Sequence, residues 1–263
     1  MPQMAQLLDA YDAQLRPAEV TNLPEDARAE QDGPITRVVG QHRGFISSPR
    51  DLGIDGEALD ALIVRQKDFF GARGEPVEWK TRAHDLPPGI VQRLERAGFI
   101  AEGRETVMIG TCEEISNISA PPPAGVSIRQ AWSPADMSRI SAMESEVWGE
   151  DWGWLADDLN ARLRRDSNAI VVLVAEAGGK VVSVGWAVHK KGTEFTALWG
   201  GSTLAAWRGK GIYRALVAER AQVALRWGCR YLQVDASADS RPILEKLGFV
   251  AVTETTPYVW SPS

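Results

Sequence analysis

The run Ser116-Asn-Ile-Ser-Ala-Pro-Pro-Pro-Ala-Gly125 constrains this chain more than any other feature. Three successive prolines fix φ, remove three amide donors and fit neither a helix interior nor a central strand. Such a segment reads as a linker, residues 116–125, between an N-terminal domain (1–115) and a C-terminal domain (126–263). A chain of 263 residues is comfortable for two domains.

Before the linker, Leu7, Leu8, Tyr11 and Leu15 recur at helical spacing and predict a helix over residues 3–15. Residues 16–33 are polar and read as loop. Strands are expected at Thr36–Gly40, Gly44–Ser47, Pro76–Lys80 and Glu105–Gly110. Helices are expected at 56–72, on the stripe Leu59, Leu62, Ile63 and Phe69-Phe70, and at 87–96, opened by prolines. After the linker, Val126–Gln130 alternates as a strand. Ser133 followed by Pro134 signals the start of a helix reaching about Trp148. A second helix fits 154–165. Ala169–Glu176 and Lys180–His189 flank Gly178-Gly179, a tight-hairpin signal. A strand at Glu194–Thr203, a helix at 209–227, a strand at Arg230–Asp235, a helix at 239–246 and strands over 249–260 follow. The order predicts an α/β (α+β) fold on one mixed, mainly antiparallel sheet flanked by helices.

A weak internal repeat runs through this order. Leu94-Glu-Arg-Ala-Gly-Phe99 matches Leu244-Glu-Lys-Leu-Gly-Phe249, and Asp85 and Asp235 each stand thirteen residues ahead of the glycine. The first half then reads as a worn copy of the second.

The chemistry-bearing segment is Trp207-Arg-Gly-Lys-Gly-Ile-Tyr-Arg-Ala-Leu216, between a predicted strand and a long helix. Its glycines let the backbone turn and approach a ligand without Cβ contact. The helix aims its unpaired first amides and the positive end of its dipole at the loop, which suits a phosphate or pyrophosphate. GxxxxGK[ST] and GxGxxG are both absent, so neither a P-loop nor a dinucleotide fingerprint applies. Arg208-Gly-Lys-Gly-Ile-Tyr213 resembles the [Q/R]-x-x-G-x-[G/A] motif of the GNAT superfamily of N-acetyltransferases. The similarity extends over the second half, through Leu198-Trp-Gly-Gly-Ser-Thr203 and Lys246-Leu-Gly-Phe249. It implies a tandem of a degenerate and an intact GNAT-like unit, with acetyl-CoA as cosubstrate. The implied cofactor contacts are Arg208, Gly209, Lys210 and Gly211, with Ile212 and Tyr213 through their amides. Gly201 and Thr203 match the strand end that pairs with pantetheine. Two positions depart from the pattern: Tyr213 stands where the motif has Gly or Ala, and Leu244 stands at the family's frequent tyrosine general acid.

The net charge of −6 and the lack of a basic run exclude a binder that works by neutralising phosphates, and favour an amine partner. The expected acceptor is a primary amine of a small molecule or peptide, attacking the thioester directly. The alternative is a non-catalytic acyl-CoA-binding regulatory module. Glu144, Glu146, Glu150 and Asp151 crowd the end of one predicted helix, with Trp148, Trp152 and Trp154 among them; Trp186 and Trp199 follow. These indoles fit either core or a pocket wall. Asp235 and Glu146 are the candidate catalytic bases. His42, His84 and His189 have no ligand spacing, so no metal is expected. Cys112 and Cys229 form no framework. The opening MPQMAQLLDAYDAQL lacks a signal pattern, and no apolar stretch is long enough to span a bilayer. A cytoplasmic monomer or homodimer, away from membranes and nucleic acid, is the expectation.

Overall fold

A computed structural model of the chain describes residues 2–21, 23, 27–40 and 43–262. His42 lies outside the described residues. The chain divides into two compact units. The first comprises Met1–Val107, Asp235–Arg241 and Ala251–Ser263; the second comprises Met108–Val234 and Pro242–Val250. The proline run, read above as a linker, lies within the second unit.

In the first unit, helix α1 (Pro2–Ala10) continues through a π-helical turn, Tyr11–Leu15, into the short α2 (Arg16–Ala18). Strand β1 (Arg28–Asp32) corrects the loop expected over residues 16–33. Its sequence, RAEQD, has no apolar alternation; it pairs antiparallel with β2 (Ile35–Val39) across a turn at Gly33. β2 runs antiparallel to β3 (Gly44–Ser47), and β3 runs parallel to β4 (Val77–Arg82). The crossover between them is α3 (Gly56–Ala72), whose Leu59, Leu62, Ile63 and Phe70 pack with Ile46 and Trp79 in this unit's core. Helix α4 (Ile90–Arg96), β5 (Ile100–Ala101) and β6 (Glu105–Thr111) follow, and the division between units falls within β6. α4 starts later than the prolines suggested because Gly89, at φ +95°, breaks helical geometry just before it.

The second unit holds α5 (Cys112–Ser116), β7 (Val126–Ala131), α6 (Pro134–Trp148), α7 (Trp154–Arg165), β8 (Ile170–Ala177), β9 (Lys180–His189), β10 (Phe195–Thr203), α8 (Ile212–Arg226), β11 (Tyr231–Ala236) up to Val234, and α9 (Arg241–Lys246) from Pro242 onward. Strands β7 to β10 form an antiparallel meander, and β11 joins β10 in parallel. α6 opens with a capping box: the Asp136 amide donates to Ser133 Oγ at 3.1 Å, and the Asp136 carboxylate returns to the Ser133 amide. The core gathers Met137, Ile140 and Met143 of α6 with Leu155, Leu159, Val172, Val174, Val184 and Leu216. The last strand, β12 (Val250–Trp260), is one strand rather than several; from Ala251 onward it belongs to the first unit, paired antiparallel with β4.

The repeat read from sequence is matched in topology. β2-β3-α3-β4-α4 and β9-β10-α8-β11-α9 share the sequence of antiparallel pair, helical crossover, parallel return and short helix. Both short helices stop alike. Phe99 donates to the Leu94 carbonyl at 3.0 Å past Gly98, and Phe249 donates to the Leu244 carbonyl at 3.0 Å past Gly248. Both glycines are left-handed, at φ +88° and +89°.

Candidate active site

Two glycines bend β10. Gly200 (φ +69°) and Gly201 (φ +86°) shift its register against β9 before Thr203. Left-handed backbone favours glycine, and contact requires it here as well. A Cβ on Gly200 would lie 2.4 Å from the Trp186 ring, and one on Gly201 would lie 2.9 Å from Tyr213 Cε2. Ser183 of β9 holds the strand just past the bend by donating to the Ser202 carbonyl at 2.7 Å, with Thr203 Oγ1 at 2.8 Å. β10 pairs with β11 from Phe195 to Ala197 and then runs on to Thr203.

After Thr203 the chain makes a 3₁₀ turn, Ala205–Trp207, and enters α8 through Gly209 (φ +72°) and Gly211 (φ +84°). These two conformations place the helix start at Ile212 rather than 209. Gly211 is the N-cap and offers no side-chain cap, and the first helical bond is Ala215 N–H to the Gly211 carbonyl at 3.1 Å. The amides of Ile212, Tyr213 and Arg214 therefore have no partner within the helix. A Cβ on Gly209 or Gly211 meets nothing within 4 Å, so the loop's backbone faces open space. Arg208 Nε donates to the Thr203 carbonyl at 3.0 Å, and Lys210 Nζ lies 4.6 Å from the centre of the Trp207 ring. Both side chains are exposed. Bare amides, a helix dipole and two cations around an open cradle fit a polyanion such as a pyrophosphate.

Tyr213, the departure from the motif, lies against the Gly201 bend, so its ring turns toward β10. Burial raises its pKa, and its hydroxyl bonds Arg220. Arg220 is almost fully buried, and its Nη1 donates to the Trp199 carbonyl at 3.2 Å. Burial lowers its pKa, and its Nη2 has no partner among the described residues.

The carboxylate that the structure brings to β10 is Glu144. It is 1% exposed, accepts a bond from Trp148 Nε1 at 2.8 Å and bonds Ser202. Burial pushes its pKa above the ordinary carboxylate value, against the lowering effect of those two bonds. Glu146, two residues on, faces another way: it is exposed and ion-paired with Lys180 at 3.0 Å. Asp235 falls in the first unit, where Lys80 Nζ lies 2.5 Å away. Burial works against the Lys80 charge, yet Asp235 brings its pKa above the usual lysine value. Glu105, also in that unit, is pushed up to about 7 by burial and then by Asp235. The sequence carried a signal for Glu144. Met137, Ile140, Ser141 and Glu144 occupy one buried helical stripe, so Glu144 is an acid on an apolar face. Leu244 is fully buried.

The remaining candidates have ordinary surroundings. His84 lies between Asp12 and Thr253, and His189 stacks on Trp227. No metal-binding cluster and no helix long and apolar enough to cross a membrane occur among the described residues.

Comparison with known proteins adds to this geometry. A model of the acetyltransferase (GNAT) family matches residues 132–249. A GCN5-related N-acetyltransferase from Kribbella flavida superposes with a TM-score of 0.72 at 16% identity, covering 95% of each chain. A tandem GNAT protein from the clavulanic acid biosynthesis pathway superposes at 0.67 and 13%, over 99% of this chain and 95% of that one. A GCN5-related N-acetyltransferase from Sphaerobacter thermophilus gives 0.60 and 18%, over 92% and 83%. No curated protein sequence matches. At these identities the structures speak to the fold alone, and that fold is shared over nearly the whole chain. The family match and the glycine-bent strand, open loop and bare helix start that it spans assign residues 132–249 to the GNAT family of acetyltransferases, whose general activity is acyl transfer.

Proposed function

We propose that the chain transfers an acetyl group from acetyl-CoA to a primary amine by direct attack of the amine on the thioester. The observation that carries this reading is the open cradle at Gly209–Tyr213, where unpartnered amides meet exposed Arg208 and Lys210. In this reading those groups hold the pyrophosphate, and the edge of β10 from Gly201 to Thr203 receives the pantetheine arm. Bound acetyl-CoA supplies the acetyl group in activated form. Glu144 takes the ammonium proton and so frees the nitrogen lone pair. As the C–N bond forms the C–S bond breaks, and CoA leaves as its thiolate and takes up the second amine proton through solvent. A base with a raised pKa suits that task, because it balances proton affinity against ionisation near neutrality. Orientation of amine and thioester side by side supplies roughly 7–11 kcal/mol of barrier lowering.

Neither thiol is suited to carry the acetyl group. Cys112 is fully buried and its pKa is pushed up to about 12, by burial first and then by Cys229. Burial likewise raises that of Cys229. A thiolate is the nucleophilic form, and these sites suppress it. Steady-state assays of acetyl-CoA with a panel of primary amines test the reading. Turnover with intersecting initial-rate lines is expected, and Cys112→Ala and Cys229→Ala should each retain it. Parallel lines, or loss of turnover in a folded cysteine variant, would overturn direct attack. No acetylated product from any amine would sink the enzymatic reading itself.

The first unit supports a stoichiometry of one. The start of its α3 is already occupied: Asp55 accepts the Gly56 amide at 2.6 Å, and Asp51 accepts the Gly53 amide at 2.8 Å. Arg16, 3% exposed, lies among the Ser48 carbonyl, His84 and Asp85, residues that follow β3 and β4. Carboxylates at a helix start repel phosphates, and a buried guanidinium fills the space that parting strands would leave. Calorimetry should give one acetyl-CoA per chain; a value of two contradicts this account.

A further inference from the structure

The turn between α6 and α7 exposes apolar surface in an unusual way. Trp148 and Trp154 are 58% and 59% exposed. Trp152 between them is half-buried and packs on the core of the second unit. The three rings touch in series: Trp148 and Trp152 are stacked with centroids 6.2 Å apart, and Trp152 and Trp154 lie 5.4 Å apart at 31°. Hydrogen bonds hold this arrangement. The Trp152 amide donates to Ser145 Oγ at 3.0 Å, and Ser141 Oγ donates to the Trp152 carbonyl at 2.6 Å. The Trp148 indole is tied to Glu144. A contiguous, anchored aromatic patch on a protein surface marks a binding site.

Charge narrows the occupant. From Ile140 to Ala161 the sequence contains six carboxylates, Glu144, Glu146, Glu150, Asp151, Asp157 and Asp158, and no lysine or arginine. Lys180 balances Glu146 and Arg162 balances Asp158. Glu150, Asp151 and Asp157 have no ion-pair partner among the described residues. Indole faces attract cations through the ring quadrupole, and the surplus negative charge strengthens that preference. It disfavours an anionic lipid surface, and equally a second copy presenting the same acids.

We propose that the indole fan of Trp148, Trp152 and Trp154 binds a small arylalkyl primary ammonium, its ring stacked on the indoles and its cationic head directed to Glu144. The use of this site in catalysis rests on the acyl-transfer reading; the binding itself does not. The occupant carries both an aromatic body and a protonated amine. An apolar alcohol lacks the charge, and a bare alkylammonium lacks the ring.

Calorimetry on the full chain without acyl donor tests the proposal, using phenethylamine and tryptamine beside 2-phenylethanol, 3-phenylpropionate and methylamine. The two arylalkylamines are expected to bind at least about tenfold more tightly than each of the other three. Trp148→Ala and Trp154→Ala should each weaken the amines by about tenfold while acetyl-CoA affinity stays unchanged. Equal affinity for phenethylamine and 2-phenylethanol would overturn the proposal, as would failure of both arylalkylamines to bind. Unchanged amine affinity in both variants would do the same. A dimer that becomes monomeric on Trp154→Ala, seen by sedimentation, would assign the patch to a second copy instead. Amine binding without any acetylated product would leave this site standing and sink the acyl-transfer reading. Acetylation of methylamine as readily as phenethylamine would do the reverse.

Discussion

Gly211→Val should lower the affinity for acetyl-CoA by about 100-fold, through backbone strain and a blocked approach to the loop. Gly211 sits at φ +84°, which a β-branched residue adopts only at a cost of about 1–3 kcal/mol. Its Cβ would also project from the open face of the cradle, where no protein atom lies within 4 Å. The side chain that opposes phosphate approach thus meets no contact inside the protein, and the fold should survive. Calorimetry on the variant, with thermal denaturation as a control, separates the two effects. Lys210→Glu provides an independent check, because it reverses a charge on an exposed side chain without altering the backbone. Unchanged affinity in both folded variants would remove the pyrophosphate from this loop.

The second large effect is expected at Glu144→Gln. Removing a general base typically costs about 10²- to 10⁴-fold in rate, and glutamine keeps the shape and the acceptor for the Trp148 indole. The sign of the pH dependence follows from the raised pKa. The base works only when ionised, so the wild-type rate should fall as pH drops through a value above the ordinary glutamate range. In the variant that acid limb should disappear along with most of the rate. A variant with full kcat, or one that retains the limb, would assign the proton to another group. Glu146→Gln makes a useful control: its carboxylate is exposed and paired with Lys180, and its loss should change kcat little.

Most of the elements were legible because their signals are local. Ser133 and Pro134 announce the start of α6, and the Leu59-Leu62-Ile63 stripe gives the limits of α3. Gly178 and Gly179, at φ +56° and +78°, form the hairpin that their sequence predicts. The glycine loop ahead of α8 was readable for the same reason, since glycines just before a helix leave its first amides without a side-chain cap. What escaped depends on partners distant in sequence. β1 has no buried face to impose alternation, and only its pairing with β2 makes it a strand. Glu146 and Glu144 look alike in a list of acids; helical phase alone sends one to Lys180 and the other to Ser202. The Lys80 partner of Asp235 lies 155 residues away.

The placement of β12 bears on how this chain can be made. Translation proceeds from the N-terminus, and a domain encoded as one continuous stretch can close while the remainder is still being synthesised. Here the ladder in which Thr255 faces Arg82 and Tyr258 faces Trp79 completes the earlier unit with residues made only after the whole stretch from β7 to α9. Until they emerge, one edge of β4 has no strand beside it, and an unpaired edge invites association with neighbouring chains. The earlier unit therefore stays open until the stretch that builds the second unit has been synthesised.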